Sequence, residues 1–197
     1  MANTNAPFGF RQYSGTGSAP TYEQVAVAIQ YNASAIYYGD PVLQNADGTV
    51  TVGAAASTQV TGTVAGVFVG CKYLSVAQKR TVWSNFWPGS DVASGNYVEG
   101  YIVNDPNAKF VVQTDATGAT LAAVGANAGY NTGAGNTASG ISGSYLDIST
   151  LNTTSTLPFR VVSLVVDPPG APGTQSGAYN YVVVAFNSVA TKQLTGV

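Results

Sequence analysis

Histidine is absent from the 197 residues, and cysteine and methionine occur once each. No Ser-His-Asp or Cys-His catalytic arrangement can be built from such a chain, nor a histidine-containing zinc site or a four-cysteine cluster. Cys71 has no partner for an internal disulfide, so the chain suits a reducing cytoplasm, and its place in the apolar run FVGCKYL marks it as a small buried hydrophobe. Charge is scarce as well: 7 Lys+Arg and 9 Asp+Glu give a net charge of −2 and only 8% charged residues, against about 25% in a typical soluble protein. A surface of Asn, Thr, Ser, Gln and Gly stays wet but lacks the like-charge repulsion that keeps monomers apart, which suits a component of an assembly. There is no electrostatic footprint for nucleic acid or for an anionic membrane. The N-terminus MANTNAPFGF has neither a basic nor an apolar signal region, and no run approaches a membrane span, so a soluble chain made without a signal peptide is expected.

What is present is β-pattern and turn chemistry. In YEQVAVAIQY, Val25, Val27, Ile29 and Tyr31 alternate onto one face of a strand. AIYYGDPVLQNADGTVTVG holds two β-rich runs joined by Asp47-Gly48, a tight hairpin signal. VTGTVAGVFVGCKYL carries glycines at 62, 66 and 70, which suit a sharply bent strand. VEGYIVND and AKFVVQTD flank Asp105-Pro106-Asn107 and read as a second hairpin, and LPFRVVSLVVD and YNYVVVAFN read as strong strands around PPGAPGTQSGA. Trp83, Phe86 and Trp87, spaced i, i+3, i+4, suggest one helical turn, stopped by Pro88-Gly89. The expected fold is all-β: a barrel or sandwich of about nine to ten short antiparallel strands, with an extended N-terminal arm and a long Gly-rich loop. The segments are an arm over 1–21, a barrel-like core over 22–115, and the Gly-rich loop with a C-terminal hairpin over 116–197, all within one compact unit.

GYNTGAGNTASG at 129–140 fits a GxGxxA template, but the residues that follow offer no helix to present amides to a phosphate, and no P-loop lysine is near. It reads as a flexible or partner-ordered loop. Among the carboxylates, Asp40, Asp47 and Asp105 sit in turn contexts, leaving Glu99 and Asp115 as candidates for a glycan-cleaving enzyme. No DxDxDG spacing supports a calcium site, and no cofactor or metal is expected. The sequons at Asn32 and Asn152 are coincidental in a chain without a secretion signal. Lys72, Lys79 and Arg80 lie within nine positions among Tyr73, Trp83 and Trp87, too few charges for nucleic acid but suited to a protein interface.

The ordered set FGF (8–10), GDPV (39–42), DGTV (47–50), GVFVGCKY (66–73), FWPG (86–89), DPNAKFVVQTD (105–115), VGANA (124–128) and TLPFRVV (156–162) resembles tailed-bacteriophage virion proteins of the capsid decoration, or cement, class. The resemblance spans Phe8 to about Asn187. It implies a non-enzymatic all-β protein, often trimeric, on the outer surface of the capsid, with the major capsid protein as partner and no nucleic acid or membrane. Interface anchors expected on this reading are Phe8, Phe10, Arg11, Tyr13, Lys79, Arg80, Trp83, Trp87, Tyr130 and Asn131, since aromatic and arginine side chains dominate contact energy. The alternative is a fibre or receptor-binding module, in which Tyr37, Tyr38, Tyr101 or Tyr130 would stack on host carbohydrate.

Overall fold

The computed structural model describes residues 3–15, 23–53 and 64–192. Two open antiparallel six-stranded sheets form a sandwich. The strands are β1 (Arg11–Ser14), β2 (Val25–Gln30), β3 (Pro41–Gln44), β4 (Val50–Val52), β5 (Gly66–Leu74) and β6 (Thr81–Ser84), followed by β7 (Tyr97–Val103), β8 (Lys109–Gln113), β9 (Asn127–Asn131), β10 (Tyr145–Asn152), β11 (Phe159–Leu164) and β12 (Tyr181–Phe186). One sheet runs β1-β8-β12-β11-β9-β10; the other runs β2-β7-β5-β3-β4, with β6 also paired to β5. Both sheets curl. Single parallel bridges, Thr114 to Leu146 in the first and Ala28 to Thr49 in the second, span from one side of each sheet to the other.

The first sheet encloses a core that includes Phe10, Phe110, Tyr130, Leu146, Phe159 and Phe186, while Ile29, Ile36, Phe68, Cys71, Trp87 and Ile102 fill the second. Strand alternation supplies both, because successive residues point to opposite faces: on β5, Val67 belongs to the first core and Phe68 to the second. A register shift between Phe68 and Gly70 then keeps Cys71 and Tyr73 in the second core. Gly66 and Gly70 thus serve the bent strand expected here, and Gly62 lies outside the described residues.

Asp47-Gly48 closes the β3–β4 hairpin, with Asp47 accepting from the Thr49 N–H at 3.0 Å and Thr49 Oγ1 at 2.6 Å. β11 and β12 also pair as expected. The connection at Asp105-Pro106-Asn107 is different: β7 lies in one sheet and β8 in the other, so the turn is a crossing and not a hairpin. Each strand already has a neighbour on both edges, β2 and β5 for β7, β1 and β12 for β8. The expected helical turn is also absent, because Thr81–Ser84 pairs with β5 and the Trp87 backbone exchanges hydrogen bonds with Ile36 at 2.8 and 2.9 Å.

The N-terminal arm enters the fold. β1 pairs with β8, and Phe10 is buried 4.3 Å from the Phe159 ring in a stacked arrangement. Gly9 permits this entry: at φ +74° its Cα lies so close to Ser142 and to the Gly39 carbonyl that a Cβ would sit 2.7 and 2.8 Å from them. The glycine-rich stretch is likewise held by its own chain. Tyr38 N–H donates to Gly140 O and Ser142 N–H to Tyr38 O, at 2.9 and 3.0 Å. Asp40, buried, accepts from Ser142 and Ser144 hydroxyls at 2.5 and 2.7 Å and from the Tyr37 N–H at 2.8 Å. These bonds tie the stretch to the segment around Tyr38 and Asp40 of its own chain.

Candidate functional site

On the outer face of the second sheet, β5, β6 and β7 run side by side, with Lys72 opposite both Trp83 and Glu99, and Gly70 opposite Tyr101. Strand periodicity therefore places Trp83, Lys72, Glu99 and Tyr101 on one face, with Tyr97 two positions before Glu99. Trp83 is 67% exposed and Tyr97 65%, values that mark them as surface rings in contrast to the fully buried Trp87. The Trp83 and Tyr101 rings are parallel within 4°, their centroids 5.9 Å apart. Lys72 Nζ stands 5.1 Å from the Trp83 centroid and 2.6 Å from Glu99 Oε2. The Tyr101 hydroxyl donates to Glu99 Oε1 at 2.7 Å.

Each of these polar groups titrates with its neighbours in mind. The Lys72 ammonium holds the Glu99 carboxyl below its usual range, and the same contact raises Lys72. The carboxylate raises the Tyr101 phenol, which is better off as a donor to it. The cluster is thus a neutralised pair under a proton-bearing phenol, and Glu99 is a partner in that network. Beside it lies a groove of about 520 Å³, lined by Gln24, Gly70, Trp83, Ser84, Asn85 and Tyr101 among others. Gly70 keeps its floor low, since a Cβ there would stand 3.0 Å from the Ser84 carbonyl.

A second polar cluster joins Asp115 to Asp147 beside a depression lined by Asn5, Thr114, Thr117, Tyr145 and Tyr179. Burial raises the Asp115 carboxyl, and the nearby Asp147 adds to that shift, against the lowering effect of the Thr117 and Gly118 amides. Asp147 also accepts from Asn131 Nδ2 at 3.0 Å and from the Ser149 N–H at 3.0 Å. Glu99 and Asp115, the paired enzyme candidates from sequence, line different depressions. Among the described residues, no group of three or more His, Cys, Asp or Glu side chains gathers as a metal site.

The expected interface anchors divide sharply. Phe10, Trp87 and Tyr130 are buried in the chain's own cores, which removes them as surface anchors. Trp87 packs edge-on against Tyr73 at 5.2 Å and donates from Nε1 to Ala33 O at 3.2 Å; Tyr130 reaches the Pro41 carbonyl at 3.4 Å. Asn131 is half-buried on Asp147, and Phe8 meets Tyr181 edge-on at 5.1 Å. Arg11 is half-buried, with its guanidinium 5.8 Å from the Phe8 ring and 5.5 Å from Tyr38. Tyr13, Lys79, Arg80 and Trp83 are exposed. Of the four tyrosines considered for sugar stacking, Tyr101 alone lines the aromatic groove, whereas Tyr37 stacks on Phe86 at 5.5 Å and Tyr38 lies beneath Arg11.

Sequence reasoning passed over a third feature, an aliphatic patch on the first sheet. A 3₁₀ turn at Leu121–Ala123 contacts β11, and the Gly125 N–H bonds Val161 O at 2.9 Å. These contacts bring Leu121 (79% exposed) and Val124 to the strand that carries the exposed Val162, with Val166 just beyond it. The signal in the sequence is the consecutive Val161-Val162 of FRVVSLVV, which puts one valine on each face of the strand. Comparison of the chain with protein-family models, with curated proteins and with solved structures finds no match.

Proposed function

We propose that this protein is a non-enzymatic decoration, or cement, protein that binds the outside of an assembled tailed-phage head and stabilises contacts between capsomers. The observation that carries the reading is the aliphatic patch of Leu121, Val124, Val162 and Val166 on a chain with only 8% charged residues. Exposed aliphatic side chains gathered about one strand and the turn beside it suit a protein contact, and a weakly charged surface tolerates close packing beside other copies. The motif series from Phe8 to Asn187 supports the same reading by resemblance. The partner is then the major capsid protein, the location the outer capsid surface, and the protein a homo-oligomer, with a trimer favoured by the resemblance.

The mechanism is linkage. A molecule that binds only the assembled shell stabilises it according to its concentration and affinity. Repetition over a symmetric lattice makes many modest contacts act together. The test is cosedimentation of purified protein with expanded capsids that lack it, with capsid melting followed in parallel. Saturable binding and a raised capsid melting temperature are expected, both lost in Leu121→Asp/Val162→Asp while the free variant melts as the parent does. Absence of binding by the folded parent protein refutes the proposal.

A further inference from the structure

We infer that the outer face of the second sheet is a binding site for a neutral glycan, with Trp83 and Tyr101 as its stacking platform and the adjoining groove as its hydrogen-bonding rim. This site is separate from the aliphatic patch, so failure of capsid binding leaves it standing and its own failure leaves the capsid reading standing.

The chemistry is set by what the face offers. A pyranose ring has an apolar C–H face and a polar edge of hydroxyls, so its receptor needs a bare aromatic plane beside amide and hydroxyl groups. Trp83 supplies the plane, and an aromatic surface this exposed has a cost in water that a ligand would relieve. With 5.9 Å between centroids, Trp83 and Tyr101 are too close to sandwich a ring, which needs about 7–8 Å for two contacts at 3.5–4.0 Å. The sugar therefore lies against the exposed face of Trp83 and extends into the groove. There Ser84 Oγ accepts from the Phe86 N–H at 3.2 Å and keeps its own hydrogen to donate. Asn85, on the groove wall, spends Nδ2 on the Ser139 carbonyl at 2.8 Å, which fixes its amide against Gly140. Gln24, exposed at the groove margin, offers both kinds of group. A volume of about 520 Å³ falls within the roughly 300–1,000 Å³ of small-ligand sites.

Charge selects neutral glycans over the other ligands that stack on aromatics. Lys72 is spent on Glu99 at 2.6 Å, and among the described residues that line the groove there is no Lys or Arg, so neither a uronate nor a nucleic-acid phosphate meets a free cation there. The chain's net charge of −2 opposes both. Small side chains on β2 flank the platform, with Ala26 opposite Tyr101 and Ala28 opposite Glu99, which leaves room for a chain of sugars to run along the sheet.

The test uses the two tryptophans against each other. Trp83 is exposed and Trp87 fully buried, so collisional quenching by acrylamide reports on Trp83. The full chain is titrated with laminarin, dextran, galactomannan and xyloglucan, with alginate as the anionic comparison, and the same polymers are used in affinity electrophoresis. Shielding of Trp83 by at least one neutral polymer is expected. The matching retardation should weaken about tenfold or more in Trp83→Ala and Tyr101→Ala and be partly retained in Trp83→Phe. Four results overturn the inference: no polymer shields Trp83; alginate alone does; Trp83→Ala is retarded as strongly as the parent; or sedimentation shows a parent oligomer that Trp83→Ala dissolves, which would make the face a contact between copies.

Discussion

Replacing Trp87 by alanine removes a side chain with no solvent exposure from between Tyr73 and the Ile36 bridge. Burial of an indole removes roughly 150–250 Å² from water. At about 25 cal/mol/Å² this corresponds to about 4–6 kcal/mol as an upper bound. Measured truncations of buried aromatics cost about 3–5 kcal/mol, because the cavity relaxes in part. The change also strands the Ala33 carbonyl, which accepts from Trp87 Nε1 at 3.2 Å. We expect Trp87→Ala to cost about 3–5 kcal/mol, which in a domain of this size lowers the melting temperature by about 6–20 °C. Trp87→Phe keeps most of the apolar area and isolates the lost hydrogen bond, at about 1–3 kcal/mol. Trp83→Ala removes only an exposed ring contact and a cation–π contact, at about 0.5–1.5 kcal/mol. The assay is urea unfolding followed by far-ultraviolet circular dichroism, which does not depend on the deleted fluorophores. Equal costs for Trp83→Ala and Trp87→Ala, or a cost below about 1 kcal/mol for Trp87→Ala, would refute the assignment of one ring to the core and the other to the surface.

Two further outcomes follow from the buried polar groups. Burial raises the Asp40 carboxyl despite its three hydrogen bonds, so the folded state holds that proton more tightly than the unfolded chain. Its contribution is then fullest at low pH and falls as pH rises from about 3.9 through the raised folded value; the parent should lose stability relative to Asp40→Asn across that window, in urea titrations at a series of pH values. A parent that gains on Asp40→Asn as pH rises would mean that the hydrogen bonds outweigh burial. Cys71 is buried, and desolvation pushes its thiol up to about 12, so Ellman's reagent should label the native protein only as fast as it opens and label it at once in urea; rapid native labelling would place the thiol at the surface.

Much of the architecture was legible because its signals are local. The β-branched apolar runs YVVVAF and FRVVSL mark β12 and β11 within a few residues, Asp47-Gly48 marks a hairpin turn, and the missing histidines remove their chemistry in any fold. The apolar setting of Cys71 was enough to predict burial. None of this required knowledge of which strand lies beside which.

Tertiary structure decided what depends on long-range pairing. Trp83 and Trp87 are four positions apart in similar company, yet Trp83 lies on the outer face of β6 and Trp87 in the core. Neither their spacing nor their type distinguishes them, because exposure is a property of the sheet that packs on each. The arm looked like a surface contact for the same reason: Phe10 finds Phe159, 149 positions along the chain, only once the intervening strands have folded. The aromatic groove needs three strands, with Trp83 on β6 and Tyr101 on β7 brought together over the bare Gly70 of β5. Composition and alternation determined that this chain would be all-β and poor in catalytic groups; strand order alone determined which of its aromatics face water, since one ring's solvent exposure is set by neighbours far away in sequence.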